Sequence, residues 1–187
     1  MIQIIIRNEN DRYSVAELVQ MAVEGGCRWI RIDLPDADEA YMLELGEQIV
    51  PLCREAGVIL TIDNHPDIAR KLGLHGVHVS DKALNPVALR EELGPEAVIG
   101  VTVADVGTAL AMAKADIDYV QLNDDFDAER IAAFMVDLRQ VNPSYPVVAA
   151  GDEYAAALGV SGVAVGAPMY KADDPVAATE KLMAQIG

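Results

Sequence analysis

The sequence predicts a single-domain α/β protein in which eight parallel strands close into a small (β/α)8 barrel, the TIM-barrel fold. Three observations predict this fold. Short apolar runs alternate with segments of helical periodicity eight times along the 187 residues. The connections are short and the composition is uniform from residue 1 to residue 187, so one domain is expected. Eight is also the number of strands that closes a parallel barrel with a filled interior.

The first half of the chain contains four predicted strands and three predicted helices. Ser14 and Glu17 form a capping-box pattern that opens the first helix, which ends at Glu24 before two glycines. In the second strand, Trp29, Arg31 and Asp33 share one face because side chains alternate along a strand. The strands are Ile2–Arg7, Cys27–Asp33, Val58–Asp63 and Gly76–Ser80, and the two further helices are Asp38–Ala56 and Asp67–Leu72.

The second half repeats this alternation. Its predicted strands are Val98–Thr102, Tyr119–Leu122, Pro146–Ala149 and Gly162–Val165, and its predicted helices are Asn85–Leu93, Asp105–Ala113, Asp127–Gln140, Glu153–Leu158 and Val176–Ile186. A doubly wound open sheet is the alternative fold. The turn from Arg7 to Ser14 argues against it, because this turn has no glycine-rich phosphate-binding pattern.

Charge and composition exclude several classes of function. The net charge of −16 repels nucleic-acid backbones and anionic membranes, and no basic patch offsets it. No apolar run reaches the roughly 18 residues that span a bilayer. The first residues lack the features of a signal peptide, so we expect a cytoplasmic protein in which Cys27 and Cys53 are free thiols. The sequence leaves the oligomeric state open, although a homodimer through exposed helix faces would be ordinary.

Polar side chains stand where the predicted strands end. Asp63 and Asn64 follow an apolar run directly, and His78 lies near the end of the next strand. Because the carboxyl ends of barrel strands converge, we expect these groups to share one pocket. A network of Arg31, Asp33 and Asp63 with His78 is plausible, since buried polar groups need partners. Two interpretations stay open: an interior salt-bridge network, or a ligand pocket in which Asp63 or His78 is an acid–base group.

A series of short motifs occurs in a fixed order along the chain. The motifs are Leu52-Cys53, Leu60–Asn64, Asp67–Ala69, Gly76–Val79, Ile99–Thr102, Ile117–Val120, Pro146–Ala149, Gly162–Val165 and Ala172–Pro175. In content and order they resemble the thiamine phosphate synthase and TenI (thiazole tautomerase) family from about Val15 to Leu182. The resemblance implies a barrel that joins a pyrimidine pyrophosphate to a thiazole phosphate, with Mg2+ as cofactor and Asp63 as a candidate metal ligand.

The chain departs from that family at several charged positions. The Gln-x-Arg-x-Lys triplet of the synthases corresponds to Arg31, Asp33 and Pro35 here, and their Asn-Asp pair is inverted to Asp63-Asn64. A second metal-binding acid falls on Ala83. Loss of several charge-assisted contacts, each worth roughly 1.5–3 kcal/mol, would weaken pyrophosphate binding by orders of magnitude. We therefore expect changed or reduced synthase activity.

Three hypotheses follow from the sequence. The chain is a divergent transferase or TenI-like isomerase, a non-catalytic barrel that binds a small phosphorylated heterocyclic ligand, or a structural or interaction protein. The candidate catalytic residues are Asp63 and His78. The candidate substrate-binding residues are Arg31, Asp33, Asn64, Thr102, Asn123, Gly151, Gly166 and Ala167. Gly166 and Ala167 are expected just before the last helix, where backbone N–H groups attract phosphate.

Overall fold

Eight parallel strands close into a barrel in chain order, each paired with its neighbours and the last paired with the first. This architecture comes from a computed structural model that describes residues 1–9, 11–151 and 158–186. It confirms the predicted TIM-barrel fold and leaves no place for the open-sheet alternative, because β8 and β1 are hydrogen-bonded to each other.

The strands and helices match the predicted elements to within one or two residues. The strands are β1 Ile2–Ile6, β2 Trp29–Ile32, β3 Ile59–Asp63, β4 Gly76–Val79, β5 Val98–Val103, β6 Tyr119–Leu122, β7 Val147–Ala150 and β8 Gly162–Val165. The helices of the described residues are α1 Val15–Glu24, α2 Glu39–Glu55, α3 Pro66–Leu72, α4 Pro86–Leu93, α5 Val106–Lys114, α6 Ala128–Val141, α7 Ala167–Tyr170 and α8 Pro175–Ile186.

Two predicted features differ from the structure or lie outside it. The predicted helix Glu153–Leu158 falls almost entirely outside the described residues. We expected Gly166 and Ala167 to lead straight into the last helix, and the structure differs. Instead a separate four-residue helix, α7, begins at Ala167, and α8 starts only at Pro175. Pro175 explains the break, because proline is well suited to the first turn of a new helix.

N-cap side chains determine where several of the helices begin. Ser14 forms the predicted capping box with Glu17, since each side chain hydrogen-bonds to the other residue's backbone N–H. Asp38, Asp105 and Asp127 each accept a hydrogen bond from a backbone N–H of the first helical turn. These caps fix the end of each strand–helix connection at the barrel mouth.

The two faces of the barrel wall bury different kinds of side chain. The outward-facing residues of the strands, such as Ile4, Ile30 and Val120, pack with the helices in one large apolar core. Inside the barrel, a small apolar cluster includes Trp29 and Tyr119, whose rings meet edge to face with centroids 5.0 Å apart. The other buried side chains inside the barrel are polar: Gln3, Arg31, Thr61, Asp63, His78 and Gln121.

Both cysteines are buried free thiols, as predicted. Burial raises the pKa of Cys53 to about 11, so this thiol stays protonated at neutral pH. Within the described residues, no helix combines the length and the apolar character needed to cross a membrane.

Candidate functional site

Arg31 and Asp63 form an ion pair inside the barrel. They point inward from β2 and β3, with Arg31 Nε 3.0 Å from Asp63 Oδ1 and side-chain exposures of 3% and 6%. These two atoms lie at ion-pair distance without hydrogen-bond alignment. Arg31 Nη1 also donates a 2.6 Å hydrogen bond to Gln121 Oε1 on β6. Asp63 and Gln121 are therefore two interior partners of the Arg31 cation.

Burial changes the protonation of Asp63. It raises the pKa of this carboxyl to about 7, because desolvation outweighs the attraction of Arg31 and is reinforced by the negative charge of Asp33. A carboxyl group with a pKa near neutrality is suited to acid–base chemistry. However, its 6% exposure and its contact with Arg31 direct it into the barrel rather than toward solvent.

A second ion pair lies at the barrel mouth. Arg7, just after β1, donates from Nε to Asp33 Oδ2 at 2.6 Å and has Glu9 Oε1 3.7 Å from its Nη1. Partial burial lowers the pKa of Arg7, but the hydrogen bond and charge of Asp33 more than compensate, and the net shift is upward. Tyr170 of α7 donates to the other oxygen of Glu9 at 3.1 Å.

His78 lies in a hydrogen-bonded chain that meets Arg31 at Tyr119. Its Nδ1 is 3.0 Å from the Tyr119 hydroxyl and its Nε2 is 2.9 Å from Thr102 Oγ1. Burial, with a smaller contribution from the Arg31 charge, holds the pKa of His78 well below its usual value, so the ring is neutral. The predicted network of Arg31, Asp33, Asp63 and His78 is wrong for Asp33, which pairs with Arg7. Arg31 does pair with Asp63, and His78 is linked to Arg31 through Tyr119.

The remaining predicted residues are distributed around the mouth. Asn64, directly after β3, bonds through its side chain to Ser80 and to the backbone N–H of Asp81. Asn123 is exposed after β6. The Gly151 N–H already donates to the Ala164 carbonyl, at 3.2 Å. Gly166 and Ala167 lie where β8 meets α7, and the substrate-binding role of all these residues stays a prediction.

A cavity of about 650 Å3 opens beside the Arg7–Asp33 pair. Four of its lining residues are acids and one is an arginine, so its field disfavours anions. Apolar lining from Leu34, Pro35 and Tyr41 gives it the mixed character of a small-molecule site. The lining residues are Arg7, Asn8, Glu9, Asp33, Leu34, Pro35, Asp36, Ala37, Asp38 and Tyr41.

Sequence reasoning missed Gln3 and Tyr119 as partners of the site. Gln3 Nε2 donates to the Tyr119 hydroxyl at 3.1 Å, deep in the barrel. A signal was present in the sequence, because Gln3 is the polar residue of an otherwise apolar strand. Tyr119 has the same strand parity as Gln121, so the alternation of side chains along a strand places both on one face of β6.

The described residues near Asp63 lack the ligands that a magnesium ion needs. Among them, no group of three His, Cys, Asp or Glu side chains is arranged to hold a metal. Asp63 Oδ1 faces the Arg31 guanidinium, which competes with any cation. The donor set does not fit Mg2+, which prefers several oxygen ligands in octahedral geometry. The assignment of Asp63 as a metal ligand stays a prediction.

Comparisons with known proteins agree on one family. The family model described as thiamine monophosphate synthase (TMP-TENI) matches residues 2–165. Thiamine-phosphate synthase of Bacteroides thetaiotaomicron is 31% identical over 196 aligned residues, covering 95% of this chain and 94% of the relative. Thiamine-phosphate synthase of Laribacter hongkongensis is 31% identical over 183 residues, covering 91% of this chain and 86% of the relative.

Solved structures show the same fold. Thiamine phosphate pyrophosphorylase from Pyrococcus furiosus superposes with a TM-score of 0.85 at 25% identity, covering 99% of this chain and 94% of the other. Orotidine 5'-phosphate decarboxylase from Pyrococcus horikoshii superposes with a TM-score of 0.72 at 18% identity, covering 100% of this chain and 99% of the other. The second likeness concerns the fold alone.

Proposed function

Because the chain belongs to the thiamine monophosphate synthase family, we propose that it is a divergent member that binds a small phosphorylated heterocycle at the barrel mouth and has changed or reduced synthase activity. One observation carries this proposal: both arginines at the relevant strand ends are already paired with carboxylates. Arg31 pairs with Asp63 and Arg7 with Asp33. A pyrophosphate would have to displace these carboxylates to gain either cation.

The cavity beside Arg7 supports the same proposal. Glu9, Asp33, Asp36 and Asp38 surround a single guanidinium there. A pyrophosphate brings several negative charges into this field, whereas a monophosphate brings about two. Electrostatic repulsion is therefore larger for the pyrimidine pyrophosphate than for the thiazole phosphate. A monophosphorylated thiazole is the better match to this cavity.

A non-catalytic ligand-binding barrel is the second candidate function. The position of Asp63 favours it, because the candidate acid–base carboxyl lies 3.0 Å from a buried arginine and is 6% exposed. A general acid or base must reach the proton it transfers, directly or through one water. In this arrangement Asp63 Oδ1 faces Arg31, so the ion pair competes with acid–base chemistry at this oxygen.

Two measurements test the proposal together. Calorimetric titration with thiazole phosphate, with and without Mg2+, measures ligand binding. A turnover assay with thiazole phosphate and pyrimidine pyrophosphate measures synthase activity, with the Bacteroides thetaiotaomicron synthase as positive control. We expect binding of thiazole phosphate and turnover at least 100-fold below the control.

Each other outcome changes the conclusion in a defined way. Turnover equal to that of the control contradicts reduced activity. Binding with no turnover at high protein concentration favours the non-catalytic barrel. Absence of binding in both titrations rejects the ligand and leaves a structural or interaction role.

A further inference from the structure

The interior of the barrel contains a continuous row of hydrogen-bonding groups that ends at the mouth. It runs from Gln3 on β1 through Tyr119 on β6 and His78 on β4 to Thr102 near the end of β5, with successive separations of 3.1, 3.0 and 2.9 Å. Gln3, Tyr119 and His78 are each at most 3% exposed, and Thr102 is half-buried. We call these four residues the interior chain.

Donor counting gives the proton positions along the interior chain for a Gln3 amide with Nε2 toward Tyr119 and Oε1 without a hydrogen-bond partner. Gln3 Nε2 donates to the Tyr119 oxygen, so the single Tyr119 hydrogen points to another acceptor. The neighbouring acceptor is His78 Nδ1, at 3.0 Å. A neutral imidazole has one N–H, which then lies on Nε2 and donates to Thr102 Oγ1. Thr102 receives this bond and keeps its own hydrogen.

Arg31 reinforces this direction. Its guanidinium interacts with the Tyr119 hydroxyl and carries donors only. It therefore adds to the groups that donate toward the Tyr119 oxygen and favours the orientation in which Tyr119 donates onward to His78. The same positive charge disfavours protonation of His78, so the ring keeps a single hydrogen. Among the described residues, the Thr102 hydroxyl hydrogen has no acceptor of its own.

We propose that the interior chain has a fixed direction, Gln3 to Tyr119 to His78 to Thr102, and presents the Thr102 hydroxyl to the mouth as a hydrogen-bond donor. The ligand atom that meets Thr102 is then an acceptor, such as a phosphate oxygen or an unprotonated ring nitrogen. Gln3, Tyr119 and His78 act as positioning residues for Thr102. The ligand part of this inference rests on the proposed function, whereas the direction of the chain does not.

The decisive measurement is the tautomer of His78, read from the two ring nitrogens in a long-range 1H–15N correlation spectrum. In the ligand-free protein we expect the 15N shift of Nε2 to be that of a protonated ring nitrogen and the shift of Nδ1 to be that of an unprotonated one. His65, a half-buried loop residue outside the interior chain, is the internal control. A His78 ring protonated on Nδ1 would reverse the chain and overturn the proposal.

Tyr119→Phe tests the link while keeping the ring that packs on Trp29. Without the phenol hydrogen, nothing donates to Nδ1 of His78, and the Nε2–H tautomer is no longer favoured. We therefore expect the 15N shifts of His78 to move toward those of a mixture of the two tautomers. Near-ultraviolet circular dichroism establishes that the variant is folded. A folded Tyr119→Phe protein with unchanged His78 nitrogen shifts would contradict the proposal.

Binding of thiazole phosphate tests the donor role of Thr102. Thr102→Ser keeps the hydroxyl and should bind within threefold of the parent protein, whereas Thr102→Val should lose at least tenfold. Tyr119→Phe should lose affinity by an intermediate factor. Equal affinity of the Val and Ser variants would overturn the donor role. If the parent protein does not bind thiazole phosphate, the proposed function fails, and the tautomer of His78 still decides the direction of the chain.

Discussion

The Arg31–Asp63 pair has an ambiguous energetic role at the scale of single residues. Taking both charges out of water is costly, and their attraction together with the Gln121 bond offsets that cost only in part. A buried pair of this kind is weak support for stability, but either partner alone would be a buried uncompensated charge. Replacing Arg31 or Asp63 alone should therefore cost more stability than replacing both together.

At pH values above about 8, where Asp63 is ionised, Asp63→Leu should destabilise the protein by about 3–5 kcal/mol, because it leaves Arg31 buried without its partner. The double variant Arg31→Met with Asp63→Leu should recover most of that loss. Denaturant unfolding measures both. The exposed pair Arg70–Glu92 is the matched control, and Glu92→Leu should cost about 1 kcal/mol or less. A double variant as unstable as Asp63→Leu would contradict this account.

The raised pKa of Asp63 predicts a specific pH dependence of stability. The unfolded carboxyl titrates near 3.8 and the folded one near 7, so the folded protein binds more protons between these values. The contribution of Asp63 to the free energy of unfolding is therefore largest below about pH 4 and decreases as the pH rises to about 7. Asp63→Asn cannot titrate and is the reference.

The difference in unfolding free energy between the parent protein and Asp63→Asn should fall steadily from pH 4 to pH 7. Asp105 provides a control of opposite sign, because hydrogen bonds from Thr108 lower its pKa. For Asp105→Asn the corresponding difference should be constant above pH 4 and shrink at lower pH. A pH-independent difference for Asp63→Asn would show that its folded and unfolded pKa values are equal.

At the scale of elements, Asn64 links the end of β3 to the segment that follows β4. Its side chain donates to Ser80 Oγ at 2.8 Å, and its carbonyl oxygen accepts from the backbone N–H groups of Ser80 and Asp81, both at 2.9 Å. Its φ of 57° is a left-handed conformation, which asparagine tolerates better than most residues. Asn64 therefore shapes the mouth through its own fold-stabilising bonds.

Asn64→Ala should lower stability by about 2–3 kcal/mol, because it removes three hydrogen bonds and strains the backbone. Asn64→Gly removes the same bonds but accepts the positive φ, so it should lose about 1 kcal/mol less. Hydrogen exchange should accelerate at the amides of Ser80 and Asp81 in both variants. Equal stabilities of the two variants would exclude a backbone contribution, and unchanged exchange would exclude the link itself.

The elements were predictable from sequence, whereas the partners inside the barrel were not. Apolar runs and capping residues such as Ser14 act over a few residues, so they locate strands and helices directly. Partner choice depends on strand register. Ile6 pairs with Ile32, which brings the next residues, Arg7 and Asp33, side by side. The sequence alone does not give the register between β1 and β2, and Arg7 and Asp33 are 26 residues apart in the chain. For this reason the sequence suggested Arg31, on the same strand, as the partner of Asp33.

At the scale of the whole molecule, glycines on the inner wall make room for the interior chain. Gly100 on β5 lies under Tyr119, and a Cβ at this position would come 2.0 Å from Cζ of the tyrosine ring. The ring is held by Trp29 on one side and by its hydroxyl bonds on the other. A side chain at position 100 would therefore force the Tyr119 ring or the strand to shift.

Gly100→Ala should destabilise the protein by at least 1–3 kcal/mol, the usual cost of overpacking a core. Gly107→Ala, on the exposed side of α5, is the matched control and should change stability by no more than about 1 kcal/mol. Thermal and denaturant unfolding measure both variants. Equal effects of the two substitutions would mean that Tyr119 can move aside without cost and does not hold the interior.

The charge distribution of the whole mouth gives a test that separates local pairing from the general acidic field. Asp33→Asn and Asp36→Asn each remove one negative charge from the same cavity, but only Asp33 hydrogen-bonds to Arg7. Both should strengthen binding of thiazole phosphate by reducing repulsion. Asp33→Asn should strengthen it about tenfold more, since it also releases a guanidinium for a charge-assisted bond worth roughly 1.5–3 kcal/mol. Glu9 remains 3.7 Å from Arg7 and limits the gain.

Titration calorimetry at two salt concentrations completes this test. Screening should shrink the effect of Asp36→Asn at 0.5 M NaCl, because the contribution of that residue is long-range. The additional gain from Asp33→Asn should persist, because a direct contact between Arg7 and phosphate is screened less. If the two variants gained equally at low salt and lost that gain equally at high salt, Arg7 would not be restrained by Asp33, and the weak anion affinity of the mouth would come from its net charge alone.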